Sequence, residues 1–229
     1  MRTASNRSGF ALLALALAAC GTSLSAHAAD KADAESLVTK SRLTIEALAR
    51  DAAFAPLKAA LAQAKAVLIF PQVLKAGFFL GGSGGSGVLM ARDAATGQWA
   101  GPAFYTMGSA SIGLQAGASS AEMVMVVHSQ KALESLYANK LKLGSDATAA
   151  LGTRGVEKGA GLDADFVVYA KVKGAFAGVS VDGSVLDVRQ QLNAAYYGQA
   201  ATPVDILVRH SVRNPDATRL QTTLAALSR

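Results

Sequence analysis

Val67-Leu68-Ile69-Phe70, then Gly77-Phe78-Phe79-Leu80, then Gly82-Ser83-Gly84-Gly85-Ser86-Gly87 running into Val88-Leu89-Met90-Ala91, carry the strongest structural signal in this chain. The apolar runs are too short for helices, and glycine and serine break them at regular intervals. The same texture continues in Gln98 to Thr106, Ser111 to Gln115 and Met123 to His128. Runs of this kind predict antiparallel strands in a curved or barrel-like sheet. The glycine segment reads as a loop joining two strands or lying close to a ligand.

Working outward, Ala34, Leu37, Val38, Ile45 and Leu48 recur at three- and four-residue spacing between Asp30 and Asp51, with Lys31, Lys40, Arg42 and Arg50 left for the other face. This is an amphipathic helix. A second, alanine-rich helix follows Ala55-Pro56-Leu57, where proline suits the first turn. Downstream, Ser129 caps a helix to Ala138, and strands resume at Lys140 to Leu143, Asp165 to Val172 and Ala175 to Val181. Asp182-Gly183 is a hairpin turn signal. Asp187 to Tyr197 reads as a helix capped by Asp187 and closed by Gly198, and Thr202-Pro203 and Asn214-Pro215 open two more. No composition break divides these pieces. The expectation is one α+β domain, a mainly antiparallel sheet with helices at both ends.

Of 229 residues, 51% are hydrophobic and only 17% charged, which excludes an intrinsically disordered chain. The formal charge of +6 is spread along the chain without a basic run, so nucleic acid is a poor partner and an anionic surface a better one. A single cysteine, Cys20, excludes a disulfide framework and any zinc site built on cysteine pairs.

Arg2 and Arg7 precede an unbroken apolar run from Phe10 to Ala19, the pattern of an export signal and too short to span a bilayer. Leu17-Ala18-Ala19-Cys20 has the form of a lipobox. Cleavage there would give a signal peptide at 1–19, a lipidated linker at 20–32 and a domain at 33–229. Acyl chains on Cys20 would anchor the protein, and Gly21 in place of Asp resembles the outer-membrane destination rule for lipoproteins. The competing reading is Ala26-His27-Ala28, a signal-peptidase site that would release a soluble periplasmic or secreted protein beginning at Ala29.

Motifs that resemble catalytic ones fail on context. The glycine segment satisfies G-x-G-x-x-G, yet a strand-like run follows it where a phosphate-binding helix should begin. Gly81-Gly82-Ser83-Gly84-Gly85 matches a nucleophile elbow that also needs a helix after it. His128 and His210 read as packed or surface histidines, and Asp163 with Asp165 as turn residues rather than a metal pair. No catalytic residue, metal site or cofactor is implied. Lys171 and Lys173 alternate on one strand and share a face with Tyr169, as Lys140 and Lys142 do on another. Such a face is either simply solvated or in contact with anionic headgroups.

In order along the chain, Lys75 to Gly82, Gly85 to Arg92, Trp99 to Tyr105 and Gly113 to Ala118 resemble the SYLF-domain family. The segment from Tyr169 to Ser184 is similar to that family's hallmark, and Tyr196-Tyr197-Gly198 to its closing motif. Gly152-Thr153-Arg154-Gly155 departs from the family's usual G-P-x-G-R, and Ser83 and Ser86 stand where bulkier or acidic residues are common. The resemblance implies a lipid-binding protein and no enzyme, because eukaryotic members bind phosphoinositides through the domain and its N-terminal helix. Some of those members act in endocytosis and actin regulation, while bacterial members are mostly exported proteins or lipoproteins. On this reading Lys171, Lys173, Lys40, Arg42, Arg50, Lys75 and Arg154 would contact anionic phospholipid and Cys20 would carry the anchor. The alternative is an envelope protein whose sheet binds a protein partner.

Overall fold

The computed structural model describes residues 8–77, 80–112, 117–143, 149–152, 165–174, 181 and 183–229; side chains are described from residue 28 onward, except at 80, 111, 112, 149–152 and 174. A long helix α1 (Ser8–Arg50) leads through a 3-10 turn (Ala52–Phe54) into α2 (Pro56–Gln63). Four long strands follow, β1 (Ala66–Gly77), β2 (Leu80–Arg92), β3 (Trp99–Ile112) and β4 (Gly117–Val127). Then come α3 (Gln130–Leu136), β5 (Lys140–Lys142), β6 (Ala149–Gly152), β7 (Phe166–Gly174) and β8 (Val185–Val188). The chain ends in α4 (Gln190–Tyr197), α5 (Pro203–Leu207), a 3-10 turn (Pro215–Ala217) and α6 (Thr218–Leu227). The expected α+β class holds. One eight-stranded sheet, in the order β5-β8-β3-β2-β1-β4-β7-β6, is antiparallel except where β6 joins β7. It is open, with β5 and β6 as its edges among the described residues.

Alternation along the strands sends side chains to two separate cores. Val67, Ile69, Val88, Met90, Phe104, Val124, Val126 and Tyr169 face α1, α2, α4 and α6. Leu68, Phe70, Leu89, Tyr105, Met123, Met125 and Val168 face the other way, toward α3 and α5. α1 buries Ala34, Val38, Ile45 and Leu48 as its spacing requires. Its helix also runs unbroken through positions 20–32, the stretch read as a linker.

The glycine segment, expected as a loop, is a strand. Residues 82–87 form the interior of β2, paired on one side with β1 and on the other with β3. Proline at position 71 cannot donate to a ladder, and β1 bulges there, its register to β4 shifting between Phe70 and Val73. The bulge presses on β2. A Cβ on Gly85 would lie 2.2 Å from the Gln72 carbonyl oxygen, and one on Gly87 would lie 2.5 Å from that of Ile69. Glycine is required by a neighbouring backbone rather than by a turn.

Other expectations shift for local reasons. β3 runs continuously from Trp99 to Ile112, joining the expected strand from Gln98 to Thr106 to Ser111 and Ile112; positions 113–115 of the next expected strand lie outside the described residues. Of the expected strand from Gly77 to Leu80, Gly77 closes β1 and Leu80 opens β2, and positions 78 and 79 lie outside the described residues. Asp187 is not a helix cap, since it lies in β8 opposite Lys140 and α4 begins after Arg189. Gly198, at φ 72°, does close α4. Gly183, at φ 74°, makes the expected turn, with Ser184 N–H donating to Val181 C=O at 3.0 Å, but β8 then pairs with β3 and β5. Positions 175–180 and 182 lie outside the described residues.

Candidate functional site

β7 delivers Tyr169, Lys171 and Lys173 to the α1 side of the sheet by simple alternation. Tyr169 is buried under α1, and the two lysines continue past it into a groove. One wall is a flank of α1 carrying Lys40, Leu43 and Thr44. The opposite wall is the β1 bulge at Pro71 and Gln72, and Ser120 and Glu122 of β4 lie between. The groove encloses about 380 Å³. The structure therefore brings together three of the residues expected to bind lipid, from segments about 130 positions apart in sequence.

Two carboxylates partly neutralise these lysines. Lys171 Nζ donates to Asp51 Oδ2 at 2.9 Å, while Asp51 Oδ1 accepts the Ala53 N–H at 3.0 Å and so caps the turn after α1. The hydrogen bond and charge of Asp51, aided by Glu122, raise the Lys171 pKa above its ordinary value. Lys173 lies 3.7 Å from Glu122 and is largely exposed. Lys40 is exposed and has no ion-pair or hydrogen-bond partner among the described residues. Sequence reasoning missed both acids. Asp51 read only as the end of a helix, and Glu122 drew no reading at all.

The remaining candidates do not join this groove. Arg42 is half-buried, donating to Glu46 Oε1 at 2.6 Å on the flank of α1 that meets α6, where the Thr223 hydroxyl donates to the same oxygen at 3.1 Å. Arg50 lies 3.7 Å from the other oxygen of Glu46. Lys75 sits opposite Ser83 and Ser119, one position from Leu74, and therefore on the other face of the sheet. Lys140, on edge strand β5, lies 3.6 Å from Asp187. Arg154 and the Cys20 side chain lie outside the described residues.

Ser83 is in mid-strand, its Oγ 2.7 Å from Ser109 Oγ, so the strand-turn-helix setting of a nucleophile elbow is absent at this serine. His128 follows β4, and burial lowers its pKa. His210, at φ 51°, places Nε2 2.9 Å from Asp93 Oδ2. That contact, with hydrogen bonds from Thr96, holds the Asp93 carboxyl well below the usual carboxylate range. The pair borders a larger cleft of about 530 Å³ between the β2–β3 turn and the α5–α6 segment. There His210 is occupied by Asp93, and the one arginine of the lining is Arg213. Convergent positive charge singles out the smaller groove.

Comparison with known proteins places these features in context. The Ysc84 family, described as Las17-binding protein actin regulator, matches residues 108–227. LAS seventeen-binding protein 3 of Saccharomyces cerevisiae is 33% identical over 164 residues, which is 69% of this chain and 35% of that protein. The human SH3 domain-containing YSC84-like protein 1 is 33% identical over 162 residues, 69% of this chain and 47% of its own length. Protein YSC84 of the same yeast is 36% identical over 155 residues, 64% of this chain and 32% of its own. The chain thus spans between a third and a half of the relatives it matches. No solved structure matches it.

Proposed function

The chain belongs to the Ysc84 or SYLF-domain family, and from that premise we propose that it is a non-catalytic module that binds anionic phospholipid through the groove between α1 and β7. The observation that carries this reading is the meeting of Lys40, Lys171 and Lys173 at one open groove. Each lysine near an anionic bilayer contributes about 1 kcal/mol. Lys40 with Lys173 is the pair to perturb, because neither is held by a short bond. Changing both to glutamate removes two attractions and adds two repulsions, so affinity for anionic vesicles should fall by about a hundredfold or more. Wild-type binding should weaken as salt is raised. Sedimentation of residues 30–229 with anionic and neutral vesicles, without any acyl anchor, is the test. Equal binding to both vesicle types, or an unchanged double variant, refutes the proposal.

The same proposal places the protein in a bacterial envelope, exported and held at the outer membrane by acyl chains on Cys20. Cys20→Ser should then move it from the membrane fraction to the soluble periplasm, and a mature N-terminus at Ala29 refutes the anchor. A second reading is favoured by the relatives' names, one of which is called a LAS seventeen-binding protein. In that reading the sheet binds a protein and Cys20 alone meets lipid. Protein without the anchor would then ignore vesicles of either charge.

A further inference from the structure

Three large hydrophobic side chains are conspicuously exposed among the described residues: Leu43 at 51%, Leu74 at 55% and Val208 at 50%. Two of the three stand beside the basic groove. Leu43 lines it on the α1 flank that also carries Lys40. Leu74 pairs across the ladder with Ser120, which pairs with Lys173, so the three share one face and one row of the sheet. Among the described residues, this face carries little else around Leu74. Its neighbours in the same register are Gly84 and Gly108, and the next row holds Gly82, Ala76, Ala110 and Ala118. Among the described residues, nothing on this face of glycine and alanine covers the leucine, which is 55% exposed.

We infer that Leu43 and Leu74 insert into the acyl region of a bilayer while Lys40 and Lys173 meet its phosphates, so that the groove takes an assembled anionic leaflet and not a free phosphate. This deepens the lipid reading above and rests on it. At this groove, charge complementary to a phosphate surface is joined to exposed apolar side chains. Cations with long alkyl stems sit at headgroup depth, and leucines beside them fall at the acyl boundary. A soluble phosphate would use the lysines and leave both leucines in water. The glycines and alanines around Leu74 leave a flat surface room to approach among the described residues.

The full chain carrying Cys20→Ser, and so no acyl anchor, is the material in every arm, and vesicles of phosphatidylcholine with and without phosphatidylglycerol are the probe. Leu43→Ser with Leu74→Ser removes apolar area from two half-exposed side chains, so partition onto anionic vesicles should fall by about ten- to a hundredfold. Val208→Ser, outside the groove, should leave it unchanged. Because the leucines are exposed, circular dichroism and the melting temperature of the double variant should match wild type. Leu74→Trp supplies a depth gauge. Its emission should be quenched by bromines on the lipid acyl chains, whereas buried Trp99, measured in wild type, should not respond. If wild type binds anionic vesicles but the double serine variant binds equally well, or the Leu74→Trp signal ignores acyl bromines, insertion is overturned and the headgroup reading survives. If wild type binds no vesicle, both fall. A wild-type dimer that the serine variant splits, without vesicle binding, assigns the leucines to a second copy of the chain and also overturns insertion.

Discussion

Replacing Gly87 by alanine tests why β2 is rich in glycine. A Cβ at this position would stand 2.5 Å from the Ile69 carbonyl oxygen, 2.5 Å from Phe70 Cδ1 and 2.9 Å from Phe70 Cε1. Ordinary contacts of this kind are near 3.5 Å or longer, so the neighbours must retreat by about 1 Å. Phe70 is fully buried and Ile69 belongs to the β1 ladder, so neither can move freely. Overpacking of this sort costs about 1–3 kcal/mol. Alanine returns about 0.4–1 kcal/mol by restricting the unfolded chain. The net loss is about 1–2 kcal/mol, a fall of roughly 2–8 °C in melting temperature for a chain of this size. Gly85→Ala should be worse, since its Cβ would meet the Gln72 carbonyl at 2.2 Å and a backbone atom cannot swing aside. Gly108→Ala is the control, with its nearest neighbour, the Ser83 carbonyl oxygen, at 4.0 Å. Urea titration followed by far-ultraviolet circular dichroism, with the m-value checked for constancy, measures all three. Equal midpoints for Gly87→Ala, Gly108→Ala and wild type would refute the bulge explanation. A glycine loop cradling a ligand makes the opposite prediction, unchanged stability with altered binding.

Asn193 is fully buried in α4, and its Oδ1 accepts the Phe104 N–H at 2.9 Å. Asn193→Ala leaves that donor unpaired beneath the helix and should cost about 1–3 kcal/mol in the same urea assay. Asp51→Asn removes the charge that holds Lys171, and hydrogen exchange should show faster opening of the turn after α1. The pH dependence of that contribution follows from the direction of the lysine shift. A raised pKa in the fold means the stabilisation is complete below the ordinary lysine range and is lost as pH rises through the folded value. Melting curves of wild type and Asp51→Asn should therefore keep a constant separation from pH 6 to about 9 and converge only in stronger alkali. Convergence near neutrality would refute the assignment.

Periodicity made α1 from Asp30 onward and the strand-rich middle legible, and Pro56 made the start of α2 legible, because each depends on local sequence alone. Ser129, Thr202 and Asn214 were legible as caps for the same reason, each accepting a backbone N–H two or three positions ahead. The glycine segment was misread since its cause is nonlocal. Glycine signals a turn in isolation, and only the bulge at Pro71 and Gln72, on the neighbouring strand, reveals that these glycines make room for a backbone. Asp187 was misread in a related way, its capping pattern overridden by pairing of β8 with β3 and β5. In the groove, the shared face of Lys171 and Lys173 followed from two-residue alternation. That Lys40 joins them while Lys75 does not depends on how α1 crosses the sheet and on the bulge that sets which way Leu74 and Lys75 face.

The three groove lysines are not equivalent, and the difference bears on how any anion is held. Three ammonium groups against the carboxylates of Asp51 and Glu122 leave one net positive charge, too little for a strong field but enough for a graded one. Lys40 carries no competing partner among the described residues and offers all three donors to an arriving phosphate. Lys173, mostly exposed and 3.7 Å from Glu122, gives up an interaction of the weak surface kind when it turns toward a ligand. Lys171, bonded at 2.9 Å to the residue that caps the turn after α1, would have to release a structural link. It contributes its charge in place. A charge reversal at Lys171 therefore sets a carboxylate against Asp51 and mixes folding with binding, whereas the same change at Lys40 touches binding alone. A site with one free lysine and one loosely held one binds a single headgroup weakly. Stable residence at a surface would then require further contacts made at once, the part that the proposed insertion of Leu43 and Leu74 would play.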